Sequence, residues 1–138
     1  MDPKIWQTFG RAVLAGGAVV IAIGLYMSPH DHVNTTRMAV GLAGSFMALA
    51  GIACLSAGAV MTGSQSTSTW KMLGALGEGI GLIVVLVAAW RGMKVEAPTW
   101  NHVAIGLAGA FTLMAGVLCN LTGQMLGNRA GESKSTNA

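Results

Sequence analysis

GLAGSFMALAGIAC, residues 41–54, decides the reading of this chain, because it returns as GLAGAFTLMAGVLC at residues 106–119. Eight of the fourteen positions are identical at a constant offset of 65, and glycine and alanine fill seven places in the first copy. A phrase this apolar and this rich in small residues suits a helix whose backbone lies close to another helix in a lipid environment.

Working outward, the likeness continues. At an offset of 64, Trp6 matches Trp70, Gly10 matches Gly74, Gly17 matches Gly81 and Tyr26 matches Trp90. One extra residue in the later connection raises the offset to 65, where Gly41, Phe46, Gly51, Cys54 and Gly58 match Gly106, Phe111, Gly116, Cys119 and Gly123. The expectation is a duplicated helical hairpin, units 5–63 and 69–127. Each unit has two helices, so both enter the membrane from the same side. That is a parallel repeat about an axis along the membrane normal, not the inverted kind frequent in transporters.

Composition sets the class. Hydrophobic residues make up 53% of the chain and charged residues 9%, against about 25% charged in an ordinary soluble domain. Apolar runs at 11–27, 39–62, 72–90 and 103–126 each approach the ~20 residues that a helix needs to cross a ~30 Å hydrocarbon layer. They are apolar all round, whereas a soluble bundle would need polar outer faces with a period near 3.6. The fold class expected is therefore all-α: an integral membrane four-helix bundle of two tandem hairpins, residues 1–127. A polar, disordered tail is expected at 128–138. The first run follows Lys4 and Arg11 as a signal peptide would, but YMSPHDH offers no A-x-A cleavage site. It is read as a mature helix.

Aromatic and basic residues place the helices in a bilayer. Trp6 to Tyr26 and Trp70 to Trp90 each span 20 residues, or about 30 Å of helix, and such residues favour the two interfaces. One side holds Lys4, Arg11, Lys71, Arg129 and Lys134, and the other Arg37, Arg91 and Lys94. The excess of positive charge predicts both termini in the cytoplasm of a bacterial inner membrane. The net charge of +3 is small and shows no clustered basic face, so nucleic acid is not an expected partner. The expected partners are the lipid bilayer and either further copies of the chain or other membrane subunits.

Small residues recur every four positions on the second helix (Ala50, Cys54, Gly58, Thr62) and the fourth (Ala115, Cys119, Gly123, Gly127). They predict a groove for close backbone approach. Cys54 and Cys119 should lie at one depth, as packing residues.

Glu78 is the only acid inside an apolar run. It lies about 12 Å past Trp70 at helical rise, where a carboxylate should face the bundle and be paired or protonated. Its repeat mate is Leu14. Arg11 is the expected ion partner, with Asn120 or Gln124 as hydrogen-bond donors. The four residues form the candidate proton or cation site; the alternative is a polar clasp that sets helix register. The segment 74–87 resembles the carboxylate-bearing helix of ATP-synthase c-subunits. That family's alternating Gly-x-Gly run is missing from the preceding helix, and Glu78 lies nearer one end, so no rotor function carries over. The duplicated two-helix unit, with Gly16-Gly17 early and an aromatic residue closing the helix, also looks like the YiaA/YiaB-type bacterial membrane domains. That likeness implies a small inner-membrane protein, although the family's Lys-Gly-Tyr and Gln-Lys signatures are absent.

His30 and His32 in SPHDH, with His102 on the same side, are the only candidates for copper or zinc. A solvated loop explains them as well, and no metal or other cofactor is expected. Asn34-Thr35-Thr36 matches a glycosylation sequon, which matters only in a secretory pathway. No nucleophile–base arrangement, paired carboxylates or phosphate loop is present, so no enzymatic activity is expected. The leading expectation is a structural or assembly subunit of a membrane complex, such as a secretion or conjugation apparatus, or a homo-oligomer. The alternatives are a small proton- or cation-coupled transporter or channel using Glu78, and a holin-like pore.

Overall fold

The computed structural model describes residues 2–26, 34–63, 65–94 and 100–137. They form four helices: α1 (Pro3–Tyr26), α2 (Asn34–Thr62), α3 (Thr67–Met93) and α4 (Trp100–Thr136). Each is long and apolar enough to cross a membrane.

The helices begin before the apolar runs, because polar residues cap and extend them. Asp2 accepts a hydrogen bond from the Lys4 backbone N–H at 3.0 Å, and Pro3 occupies the first helical position, where its missing N–H costs nothing. Ser66 caps α3 by accepting from the Thr69 N–H. Gly63 ends α2 with φ 62° and donates its N–H to the Ala59 carbonyl at 3.0 Å. That left-handed terminator favours glycine, which has no Cβ to clash.

The segment 128–136, expected to be disordered, is the last part of α4. Extending an existing helix avoids the cost of nucleation. Arg129 ties it to α2, its Nη1 donating to the Val60 carbonyl at 2.5 Å, and within the segment the Ser135 and Thr136 hydroxyls donate to the Glu132 carbonyl.

Among the described residues α1 packs only against α2, α3 only against α4, and the α2–α4 contact joins the pairs. The helices thus lie in the order α1, α2, α4, α3. Within each pair they run antiparallel: Gly10 faces Leu55, while Gly24 faces Gly41. Helices α2 and α4 run parallel, since Phe46 meets Phe111, Ser56 meets Thr122 and Val60 meets Arg129. Both hairpins therefore point the same way.

Glycine sets the spacing within each hairpin. A Cβ on Gly10 would lie 2.8 Å from the Leu55 nitrogen, and one on Gly17 2.6 Å from the Ala48 nitrogen. In the other hairpin a Cβ on Gly74 would lie 2.7 Å from the Asn120 nitrogen, and one on Gly81 2.5 Å from the Leu113 nitrogen. Gly44 and Gly51 on α2, and Gly109 and Gly116 on α4, close the same seams from the other side.

The seam does not follow the four-residue stripe expected from the sequence. Gly44, Gly51 and Gly58 recur every seven residues and face α1, whereas Ala50 is exposed and Cys54 half-buried. Eight residues at 3.6 per turn rotate Ala50 about 80° from Gly58. A seven-residue spacing drifts only about 20° and stays on one line. On α4, Gly123 likewise faces α3 at Lys71 and Thr67, Cys119 is buried, and Ala115 is half-buried. Cys54 and Cys119 are both free thiols.

Candidate functional site

Helices α3 and α4 come close together at Gly77, Glu78 and Gly116. A Cβ on Gly77 would lie 2.8 Å from Gly116 Cα, and one on Gly116 would collide with the Glu78 backbone nitrogen. One turn along α4 from Gly116 stands Asn120. Because the backbones are so near, its short side chain spans the gap, and Nδ2 donates to Glu78 Oε1 at 3.1 Å. Both residues are half-buried.

The other residues assigned to this site from sequence lie elsewhere. Arg11 is exposed on α1, which makes no contact with α3 or α4. Position along a helix alone does not bring two helices together. Gln124, one turn beyond Asn120, is exposed on α4. Glu78 and Asn120 therefore form a two-residue polar contact at the α3–α4 edge.

A second polar contact, not singled out from sequence, lies between the hairpins. Thr122 is the most deeply buried polar residue described, at 1% exposure. Its hydroxyl donates to the Leu118 carbonyl at 2.7 Å and also meets the Ser56 hydroxyl on α2. Since Thr122 has one proton and spends it on Leu118, Ser56 is the donor to Thr122. The available signal was a hydroxyl residue amid apolar ones on each helix, a known glue between membrane helices. Phe46 and Phe111 meet edge to face across the same junction, with ring centroids 4.9 Å apart.

Among the described residues no group of three or more His, Cys, Asp or Glu side chains is arranged to hold a metal ion. His102 is half-buried near the start of α4. His30 and His32 lie outside the described residues.

Two open clefts flank the α2–α4 junction. One lies between Phe46, Leu49 and Ala53 on α2 and Met114, Val117 and Leu118 on α4. The other lies between the end of α1 and the starts of α2 and α4, with a volume of about 260 Å³. Arg37 stands in its wall, and its Nε and Nη2 donate to the Gly24 and Leu25 carbonyls at 3.0 and 3.1 Å. The cation thereby satisfies the open carbonyls at the end of α1.

Compared with protein-family models, curated proteins and solved structures, the chain matches none of them.

Proposed function

We propose that this chain is a multi-pass inner-membrane protein that works by helix packing, as a structural or assembly subunit of a membrane complex or as a homo-oligomer. The observation that carries this reading is the pair of outer helices. Among the described residues helix α1 touches only α2, and α3 touches only α4. Each leaves a long apolar face open, with Val19 and Ile23 on α1, and Ile80, Ile83 and Leu86 on α3, each more than half exposed. In water such surface would drive aggregation. In a bilayer it faces lipid or other helices.

A duplicated origin is supported by contacts that recur at the sequence offsets. Gly10 against Leu55 corresponds to Gly74 against Asn120, Gly17 against Ala48 to Gly81 against Leu113, and Gly51 against Leu14 to Gly116 against Glu78. Phe46 and Phe111, 65 residues apart, meet each other directly, as equivalent residues do at a twofold axis. Two like units joined side by side leave two like outer faces, α1 and α3, on which the next subunit can pack. The basic residues favour both termini in the cytoplasm.

The test is cross-linking in native membranes. Single cysteines at Ile23 and Leu86, in a chain lacking Cys54 and Cys119, should give a cross-linked product to a second copy or to a foreign subunit. Absence of any product at either position, with the protein folded and inserted, would refute the assembly role.

A second reading, a proton or cation site, has one specific observation in its favour. Glu78 and Asn120 stand where the first hairpin has Leu14 and Leu55, so both partners of the 3.1 Å contact depart from the repeat together. Under this reading Glu78→Gln abolishes proton flux into liposomes while leaving the fold intact. Under the packing reading the same variant is silent, because the glutamine carbonyl still accepts from Asn120.

A further inference from the structure

We propose that the cleft between α1, α2 and α4 binds one acyl chain of an anionic phospholipid, with Arg37 holding the phosphate. The site rests on the membrane reading above, which sets its surroundings, and on three features of the cleft itself.

The first is its wall. Ile21, Leu25, Leu42, Leu107 and Phe111 supply an apolar lining. The opening exists because small residues stand where larger ones would fill it: Gly41 on α2, and Ala104 and Ala108 on α4. A Cβ on Gly41 would meet nothing within 4 Å. The volume of about 260 Å³ lies just under the range of small-molecule sites, enough for part of one chain rather than for a whole lipid.

The second is its level. The cleft begins at the last turn of α1 and the first turns of α2 and α4, and runs down to Ser45. From Arg37 to Ser45 is about 12 Å of helix. An amphiphile lying in it would keep its head at the membrane interface and its chain in the hydrocarbon. The Ser45 hydroxyl is turned inward and donates to the Gly41 carbonyl at 2.8 Å, so the lower cleft presents apolar surface to an occupant.

The third is charge. A guanidinium carries five N–H donors. Two groups of Arg37, Nε and Nη2, are fixed on the α1 carbonyls. Among the described residues nothing else accepts from Arg37, which leaves both protons of Nη1 and one of Nη2 for an occupant. A clamped guanidinium with free donors at the mouth of an apolar cleft fits a phosphate oxygen, and charge-assisted bonds of this kind are strong.

Native mass spectrometry of the full chain in mild detergent tests the proposal, with phosphatidylglycerol against diacylglycerol, which has the same acyl chains and no phosphate. The wild type should retain one phosphatidylglycerol with at least about tenfold preference, the worth of one charge-assisted hydrogen bond. Arg37→Gln should lower phosphatidylglycerol retention to the diacylglycerol level. Because that variant also loosens the end of α1, Gly41→Leu is the second arm. It keeps every bond of Arg37, fills the cleft, and should abolish retention of the lipid. Equal retention of the two lipids by the wild type, or undiminished phosphatidylglycerol on folded Gly41→Leu, overturns the proposal. The membrane reading has its own readout in the same preparation: release of the chain from membranes by alkaline extraction refutes that reading, whatever lipids are bound.

Discussion

Replacing Gly17 by alanine should separate α1 from α2. The new Cβ would sit 2.6 Å from the Ala48 nitrogen and 2.7 Å from the Gly44 oxygen. Ordinary contact begins near 3.4 Å, so the excess is 3.4 minus 2.6, or 0.8 Å. Both opposing atoms are backbone, so no side chain can swing away and the helices must move as bodies. A radial gap of that size forfeits about a quarter to a half of each dispersion contact along the seam. Overpacking of this kind costs about 1–3 kcal/mol, and rigid neighbours place it at the upper end. Alanine returns about 1 kcal/mol through helix propensity, for a net loss of about 2 kcal/mol. Gly81→Ala should match it, because its Cβ would meet the Leu113 nitrogen at 2.5 Å. Gly79→Ala is the control: its Cβ meets nothing within 4 Å, so only the propensity gain of about 1 kcal/mol remains. Thus the seam and control variants should differ by about 3 kcal/mol in reversible unfolding in detergent. If Gly17→Ala and Gly79→Ala are equally stable, the glycine seam does not hold the hairpin.

Other expectations follow from the polar and aromatic contacts. Asn120→Leu removes the donor to Glu78 and should cost about 1–3 kcal/mol. The double variant Glu78→Leu with Asn120→Leu restores the pair found in the first hairpin and should recover most of that loss; equal damage in both would count against their coupling. Thr122→Val takes the acceptor from Ser56 and should weaken the α2–α4 junction by about 1 kcal/mol, read by unfolding in detergent. A double-mutant cycle with Phe46→Ala and Phe111→Ala should give a coupling of about 0.5–1.5 kcal/mol. A coupling near zero would mean that the rings do not meet in solution.

The four helices were legible because high hydropathy sustained over about twenty residues is a local property. Helix ends were less so, since hydropathy marks the span and not the helix: Ser66 and Asp2 start α3 and α1 several residues before the apolar runs begin. The helical end of α4 was not legible. Its sequence is polar and glycine-bearing, and one anchor, Arg129 on the Val60 carbonyl, lies 69 residues away in the chain. The seam was half legible. Gly58 and Gly123 belong to both patterns, and among 20 glycines a four-residue spacing overlies the seven-residue one. Arg11 shows the limit most plainly. A sequence gives the depth of a residue along its helix but not the direction it faces, and α1 lies on the far side of the bundle from Glu78.

The central claim, that this protein acts by association, is tested most directly by its mass in mild detergent, from light scattering with mass spectrometry of whatever co-purifies. The account predicts a defined assembly, either several copies of the 14.1 kDa chain or the chain with a stable foreign subunit. A lone monomer with nothing bound, from membranes solubilised at native expression, would contradict it. Glu78 would then become the first place to look for function.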